Sequence, residues 1–114
     1  MPSQDRLTSE IVAQYVRRLV LNDEQLESTS NCRYSVRTIA QRVKLNFPQV
    51  QAQFLVHPEA SAEEYGVHYA VQFYYNQWTL LINMVSAPGF PTYIGDKDMA
   101  HPLLQNMKVA DKVI

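Results

Sequence analysis

The chain has 114 residues, of which 46% are hydrophobic and 18% are charged, and its formal net charge at pH 7 is −1. This length suits one domain with a hydrophobic core, and the composition excludes a disordered tail. No stretch has the apolar length of a transmembrane helix or a signal peptide, and the single cysteine, Cys32, excludes an internal disulfide, so we expect a cytoplasmic protein without a membrane partner.

Two amphipathic helices are predicted in the N-terminal half of the chain. Apolar residues recur at helical spacing over residues 6–21, which predicts the first helix. A second helical pattern begins after Ser35, a good N-capping residue, and ends before Pro48. It predicts a helix over residues 35–46.

The segment 49–57 is compatible with two elements. Four apolar residues alternate here with glutamines, as in a half-buried strand, and we favour a third strand of the sheet on that ground. Proline is also well suited to the first turn of a helix, so Pro48 leaves a short helix as the alternative. Pro58 ends either element.

The clearest signal in the chain lies between residues 67 and 86, where the apolar residues change from odd to even positions. Because side chains alternate between the two faces of a strand, one straight strand cannot produce this change. A hairpin that turns at residues 76–77 places both apolar sets on one face, which predicts antiparallel strands 67–75 and 78–86. The predicted opposite pairs are Tyr75 and Trp78, Phe73 and Leu80, Val71 and Ile82, and Tyr69 and Met84.

Two short elements are predicted beyond the hairpin. Residues 92–94 fit an edge strand, and residues 102–109 fit a short C-terminal helix that docks on the sheet. The predicted fold class is therefore α+β, in a single domain over residues 1–114. Its two N-terminal helices pack on a small antiparallel sheet built around the 67–75/78–86 hairpin.

The segment Ser35–Leu55, which reads SVRTIAQRVKLNFPQVQAQFL, resembles a helix-turn-helix motif. Ala40 is the small residue that lets two helices approach closely, although Lys44 stands at the turn position where such motifs usually have glycine. Residues 33–56 also contain four cations and no Asp or Glu, whereas the segments on both sides are net acidic. The resemblance implies a nucleic-acid-binding surface, with bases contacted by Gln49, Gln51 and Gln53, and phosphates by Arg33, Arg37, Arg42 and Lys44.

The second face of the predicted hairpin offers a different hypothesis. Tyr74, Leu81 and Val85 would lie partly exposed on an otherwise polar sheet surface, and such side chains suit a protein interface or a homodimer. The alternative is that the C-terminal helix covers this face.

Catalytic and metal-binding patterns find little support in the sequence. The three histidines are scattered, no pair has the spacing of metal ligands, and three glycines do not form a phosphate-binding loop. We therefore expect no enzyme activity, cofactor or metal. The expected function is that of a small protein-binding module, such as an adaptor, an inhibitor or a dimeric accessory factor, which acts through its hairpin surface. The alternative is a nucleic-acid-binding regulator.

Overall fold

Two helices and five strands make up the part of the chain that the structure, a computed structural model, describes. The described residues are 7–22, 32–56, 69–83, 93–96, 99 and 107–110. The helices are α1 (Ser9–Asn22) and α2 (Cys32–Asn46), and the strands are β1 (Gln51–Val56), β2 (Tyr69–Tyr75), β3 (Trp78–Asn83), β4 (Tyr93–Gly95) and β5 (Lys108–Val109). The predicted α+β class and both predicted helices are confirmed.

Helix α1 begins where Thr8 caps its first turn. The Thr8 Oγ1 accepts a hydrogen bond from the Ile11 amide at 3.3 Å, which satisfies one of the backbone donors left open at a helix start. Val12 and Val16 then form the stripe of α1 that is fully buried against the sheet and α2. The spacing of these residues explains why a helical period was visible in the sequence.

Helix α2 also buries one stripe of apolar residues, and it ends before Pro48. Val36, Ile39 and Val43 are fully buried, and they form one face of the helix. The last turn closes with a 2.7 Å hydrogen bond from the Phe47 amide to the Val43 carbonyl. Proline disfavours helical geometry in the residue before it, which explains why the chain leaves the helix here.

The sheet is antiparallel, with the strand order β4-β3-β2-β1-β5. At its centre is the predicted hairpin, and the observed register pairs Phe73 with Leu80 and Tyr75 with Trp78, as the change of parity predicted. Asn76 adopts a φ of 55°, the left-handed conformation that a two-residue hairpin turn requires and that Asn tolerates better than most residues. The register is therefore confirmed for the described pairs, and Met84 lies outside the described residues.

The helix-facing side of the sheet carries the main core. Tyr69, Val71, Phe73 and Ile82 are fully buried there beneath α1 and α2. Trp78 is half-buried at the edge of this core, where its ring contacts Tyr75 edge-on at 6.2 Å and its Nε1 donates a 3.0 Å hydrogen bond to the Leu7 carbonyl. That bond ties the start of α1 to the tip of the hairpin.

The opposite side of the sheet carries a second, smaller core. It contains Leu55, Ala70 and Leu81, together with Met107, which lies just before β5. All four are buried. Both faces of the central strands are therefore covered, which explains why β2 is buried along most of its length.

The predictions for residues 49–57, 92–94 and 102–109 have different outcomes. The favoured strand over residues 49–57 is confirmed by β1, which pairs with β2 along its full length. The predicted C-terminal helix over residues 102–109 is not confirmed, because Lys108–Val109 is a strand that pairs with β1 and residues 102–106 lie outside the described residues. The predicted edge strand is confirmed by β4, apart from Thr92, which also lies outside them.

Candidate functional site

An open groove runs along β1 beside α2. Helix α2 packs over β2 and β3, so β1 lies beside the helix and its helix-facing side is only partly buried. The groove has a volume of about 910 Å³. It is lined by Arg37, Ala40, Gln41, Lys44 and Leu45 of α2, by Gln51, Ala52 and Phe54 of β1, and by Tyr74 of β2.

The floor of this α2–β1 groove is apolar and partly exposed to solvent. Ala52 and Phe54 are half-buried, and the Phe54 ring stacks on Tyr69 with a centroid distance of 5.4 Å. At the rim, Leu45 leaves 77% of its surface exposed, in contrast to the buried stripe on the other side of α2. Apolar side chains that remain open to water beside a concavity are typical of a binding surface.

Two cations lie among the described residues that line the groove. They are Arg37 and Lys44, and none of the other described lining residues carries a charge. The Lys44 Nζ donates hydrogen bonds to the carbonyls of Val50 at 2.6 Å and Pro48 at 3.4 Å. These bonds hold the ammonium group beside the start of β1, where it sets the sign of the local potential.

Among the described residues, the contacts on the outer edge of β1 are made by Lys108, Val109 and Ala110. β5 pairs with Leu55 and Val56, and the Ala110 amide extends this contact by a 2.9 Å hydrogen bond to the Phe54 carbonyl. Because successive residues of a strand point their peptide groups to opposite sides, Ala52 directs its N–H and C=O outward as Phe54 does. Among the residues that the structure describes, no strand pairs with β1 there.

The structure brings four of the predicted site residues together at the groove. Arg37, Lys44, Gln51 and Tyr74 all line it, although the sequence assigned them to two different functions. The other predicted residues lie elsewhere: Arg33 is in the first turn of α2, Arg42 is exposed on α2 outside the groove lining, Gln49 is in the turn before β1, Gln53 donates a 3.0 Å hydrogen bond to Gln72, and Val85 lies outside the described residues.

The predicted exposure of Leu81 is wrong. Its side chain is fully buried in the second core, where Leu55, Ala70 and Met107 pack around it. Met107, which lies just before β5, contributes to this cover. Tyr74 lies on the same face of the sheet as Leu81. It is half-buried and is among the residues that line the groove.

The second helix implied by the helix-turn-helix resemblance is also wrong. Residues 51–56 form β1, which pairs with β2 along its full length and with β5 at Leu55 and Val56, so these residues do not form a recognition helix after α2. The backbone N–H and C=O groups of β1 that bond to neighbouring strands are not available for hydrogen bonds within a helix. The cations of α2 remain where the sequence placed them, on a helix that packs against the sheet.

The groove residues that the sequence did not reveal are mainly apolar. The sequence assigned Ala40 to a helix–helix contact and placed Ala52 and Phe54 in the segment 49–57, for which a half-buried strand was favoured and a short helix was the alternative. A usable signal existed for Leu45, which falls outside the buried stripe formed by Val36, Ile39 and Val43. Half-burial of the β1 side chains depends on which strands α2 covers, and no local pattern encodes that.

Other potential sites in the described part of the chain give less support for a function. Burial raises the pKa of the Tyr93 phenol, with a smaller contribution from Asp96, and the phenol donates a 2.5 Å hydrogen bond to the Asp96 carbonyl. Among the described residues, no group of three or more His, Cys, Asp or Glu side chains could hold a metal ion. None of the described helices combines the length and the apolar character needed to cross a membrane.

No known protein family, curated protein or solved structure matches this chain. The groove itself therefore provides the basis for a functional proposal. It can receive an apolar side chain on its floor and an anionic group near Lys44.

Proposed function

We propose that this protein is a small, non-enzymatic protein-binding module, of the kind used as an adaptor, an inhibitor or an accessory factor, and that it binds through the α2–β1 groove. The observation that supports the proposal is the partly exposed apolar floor of a groove of about 910 Å³ between α2 and β1. This site replaces the hairpin surface as the expected interface, because Leu81 is buried.

A segment of a protein partner fits this groove better than a small ligand does. Small-ligand pockets enclose most of the ligand surface, whereas this groove lies open on the protein surface with Leu45 at its rim. Aromatic and arginine side chains, here Phe54 and Arg37, are enriched in protein interfaces. A partner segment that covers Leu45 and Phe54 would remove apolar surface from water, and this stabilises the complex.

Replacing Leu45 with serine is expected to weaken peptide binding about tenfold, because a partly buried leucine contributes about 1.4 kcal/mol. Peptides would first be selected from a displayed random library with the full chain, and their affinities then measured by isothermal titration calorimetry. Since Leu45 is 77% exposed in the unbound protein, its replacement should leave the melting temperature nearly unchanged.

Leu21 provides a matched control for Leu45. It is also a helix residue, on α1, and is also 77% exposed. The Leu21→Ser variant should bind the selected peptides as the wild type does. If the library yields no peptide, or if Leu21→Ser and Leu45→Ser have equal effects, the proposal that this groove is the binding site fails.

The nucleic-acid alternative depends on the same basic segment and is tested on the same samples. Binding of duplex or single-stranded oligonucleotides through Arg37, Arg42 and Lys44 requires an affinity that falls steeply with salt, with a slope of about −1 in log–log form for each phosphate contacted. Fluorescence anisotropy across a salt series measures this slope. Tight, salt-dependent oligonucleotide binding combined with no peptide binding would favour the alternative over the protein-binding module.

A further inference from the structure

The contacts of β5 with β1 set a register for the residues that follow. β5 runs antiparallel to β1, with Val109 opposite Leu55, and the Ala110 amide donates a 2.9 Å hydrogen bond to the Phe54 carbonyl. The contact therefore continues one residue past β5 in the same register. Because the chain is continuous, residues 111 and 112 begin at this edge of β1.

The same register provides a partner for the backbone of Ala52. Two residues after Ala110, Lys112 comes opposite Ala52, which directs its N–H and C=O to this side of β1. Lys112 in that place would exchange two backbone hydrogen bonds with Ala52. Asp111 would lie opposite Gln53, whose peptide groups point toward β2, and would make no hydrogen bond with β1.

Lys44 limits how far this pairing can extend. Its Nζ lies 2.6 Å from the Val50 carbonyl, which is the next carbonyl directed to this side after that of Ala52. A side chain of α2 therefore already bonds the group that a further residue would need. The pairing would end at Lys112.

The side chain of Lys112 would face the groove. Paired residues of neighbouring strands project their side chains to the same face of a sheet. Ala52 and Phe54 lie on the helix-facing side, where they form the floor of the α2–β1 groove. Lysine lays its methylene stem along apolar surface and keeps its ammonium group in water, so Lys112 can border this floor on the side away from α2.

The residue types of this segment suit an edge strand. Lys108, Ala110 and Lys112 alternate along one side of it, and Lys108 is exposed. Charged side chains on an edge strand, lysine above all, discourage pairing with a further strand. An edge of this kind leaves the face of the groove as the surface for a partner.

We infer that residues 111 and 112 continue β5 along β1, and that Lys112 forms the outer wall of the α2–β1 groove, opposite α2. The role of this wall rests on the proposed function, whereas the pairing does not depend on it. A partner segment is held between Leu45 of α2 and the stem of Lys112, above the floor formed by Ala52 and Phe54. Lys112 is thus a further residue that contacts the partner.

Amide hydrogen exchange in two proline variants of the full chain tests the pairing. Proline has no N–H and is tolerated in an edge strand only where the N–H points to solvent. Lys112→Pro should therefore speed exchange of the Ala52 amide at least about tenfold, and Asp111→Pro should leave it unchanged. Equal exchange at Ala52 in the two variants would overturn the inference. Exchange at Ala52 that slows as the protein concentration rises would assign this edge to a second copy of the chain and would overturn it as well.

Alanine substitutions at the same two positions test the wall. Lys112→Ala should weaken binding of the library-selected peptides about threefold, because it removes the stem that borders the groove. Asp111→Ala should bind them as the wild type does, since Asp111 lies on the other face of the sheet. Lys112→Ala keeps its backbone N–H, so exchange of the Ala52 amide should stay slow. Equal affinities of the two alanine variants would overturn the assignment of Lys112 to the groove.

Failure of the pairing and failure of the proposed function give different results. Exchange at Ala52 is measured without peptide, so equal rates in the two proline variants count against the pairing alone. Loss of the difference between Leu45→Ser and Leu21→Ser counts against the proposed function. If the library yields no peptide, the binding role of Lys112 fails together with the proposed function, and the pairing is still decided by exchange.

Discussion

Replacing Asn83 with aspartate is expected to lower the free energy of unfolding by about 3–5 kcal/mol at pH 7, the usual cost of an uncompensated buried charge. The Asn83 side chain is fully buried, and its Nδ2 donates a 2.8 Å hydrogen bond to the Tyr69 carbonyl. In the variant a carboxylate oxygen would replace the donor and face the Tyr69 carbonyl oxygen. Two acceptors would then meet in a place that has no access to water.

The loss of stability in Asn83→Asp should depend on pH. Burial raises the pKa of the new carboxyl in the folded state above its value in the unfolded chain. For a carboxyl whose pKa is higher in the folded state than in the unfolded state, the loss of stability begins above the pKa of the unfolded state. The loss reaches its full size above the pKa of the folded state. Urea unfolding should therefore show the difference from the wild type shrinking as the pH falls from 7 to about 4. The protonated carboxyl can again donate to Tyr69.

Asn76→Asp is the matched control for Asn83→Asp. Asn76 is exposed in the hairpin turn, and Asp tolerates its left-handed φ of 55° nearly as well as Asn does. This variant should lose less than about 0.5 kcal/mol at any pH in the same range. Equal losses in the two variants would contradict the assignment of Asn83 to a buried hydrogen bond at the sheet.

The parts of the fold that were predictable from sequence are those encoded by local periodicity. The change of parity between β2 and β3 predicted the hairpin and its register, because a one-residue shift would have placed Phe73 and Leu80 on opposite faces of the sheet. The helices were predictable for the same reason, since Val12, Val16 and the corresponding residues of α2 repeat at helical spacing. Such patterns need no knowledge of distant residues.

The parts that were not predictable depend on contacts between distant segments. Lys108 and Val109 form β5 by pairing with β1, and two residues are too few to show an alternating pattern. The groove exists because α2 covers β2 and β3 and leaves β1 beside it, so the partial exposure of Phe54 follows from packing of the whole sheet. The helix-turn-helix resemblance failed because one stretch of alternating residues satisfied a helical and a strand interpretation at once, and strand pairing decided between them.

Replacing Leu81 with alanine is expected to cost about 2–5 kcal/mol of unfolding free energy, as for other leucines truncated in a core. Leu81 is fully buried between Leu55, Ala70 and Met107, on the sheet face opposite the helices. Since Leu55 belongs to β1, Ala70 to β2 and Met107 to the position just before β5, the surrounding residues cannot all move in to fill the space. Urea unfolding followed by circular dichroism measures the loss.

Two other leucines test whether Leu81 belongs to a core or to an interface. Leu80→Ala removes a neighbour that is 2% exposed on the helix-facing side, and its loss should fall in the same range of about 2–5 kcal/mol. Leu45→Ala removes a side chain that is 77% exposed, and its loss should stay below about 0.5 kcal/mol. If Leu81→Ala behaves like Leu45→Ala and instead weakens self-association, the second face is an interface as the sequence predicted. If it behaves like Leu80→Ala, each face of the sheet has its own core, and the partly exposed apolar floor of the α2–β1 groove is the surface left for a partner.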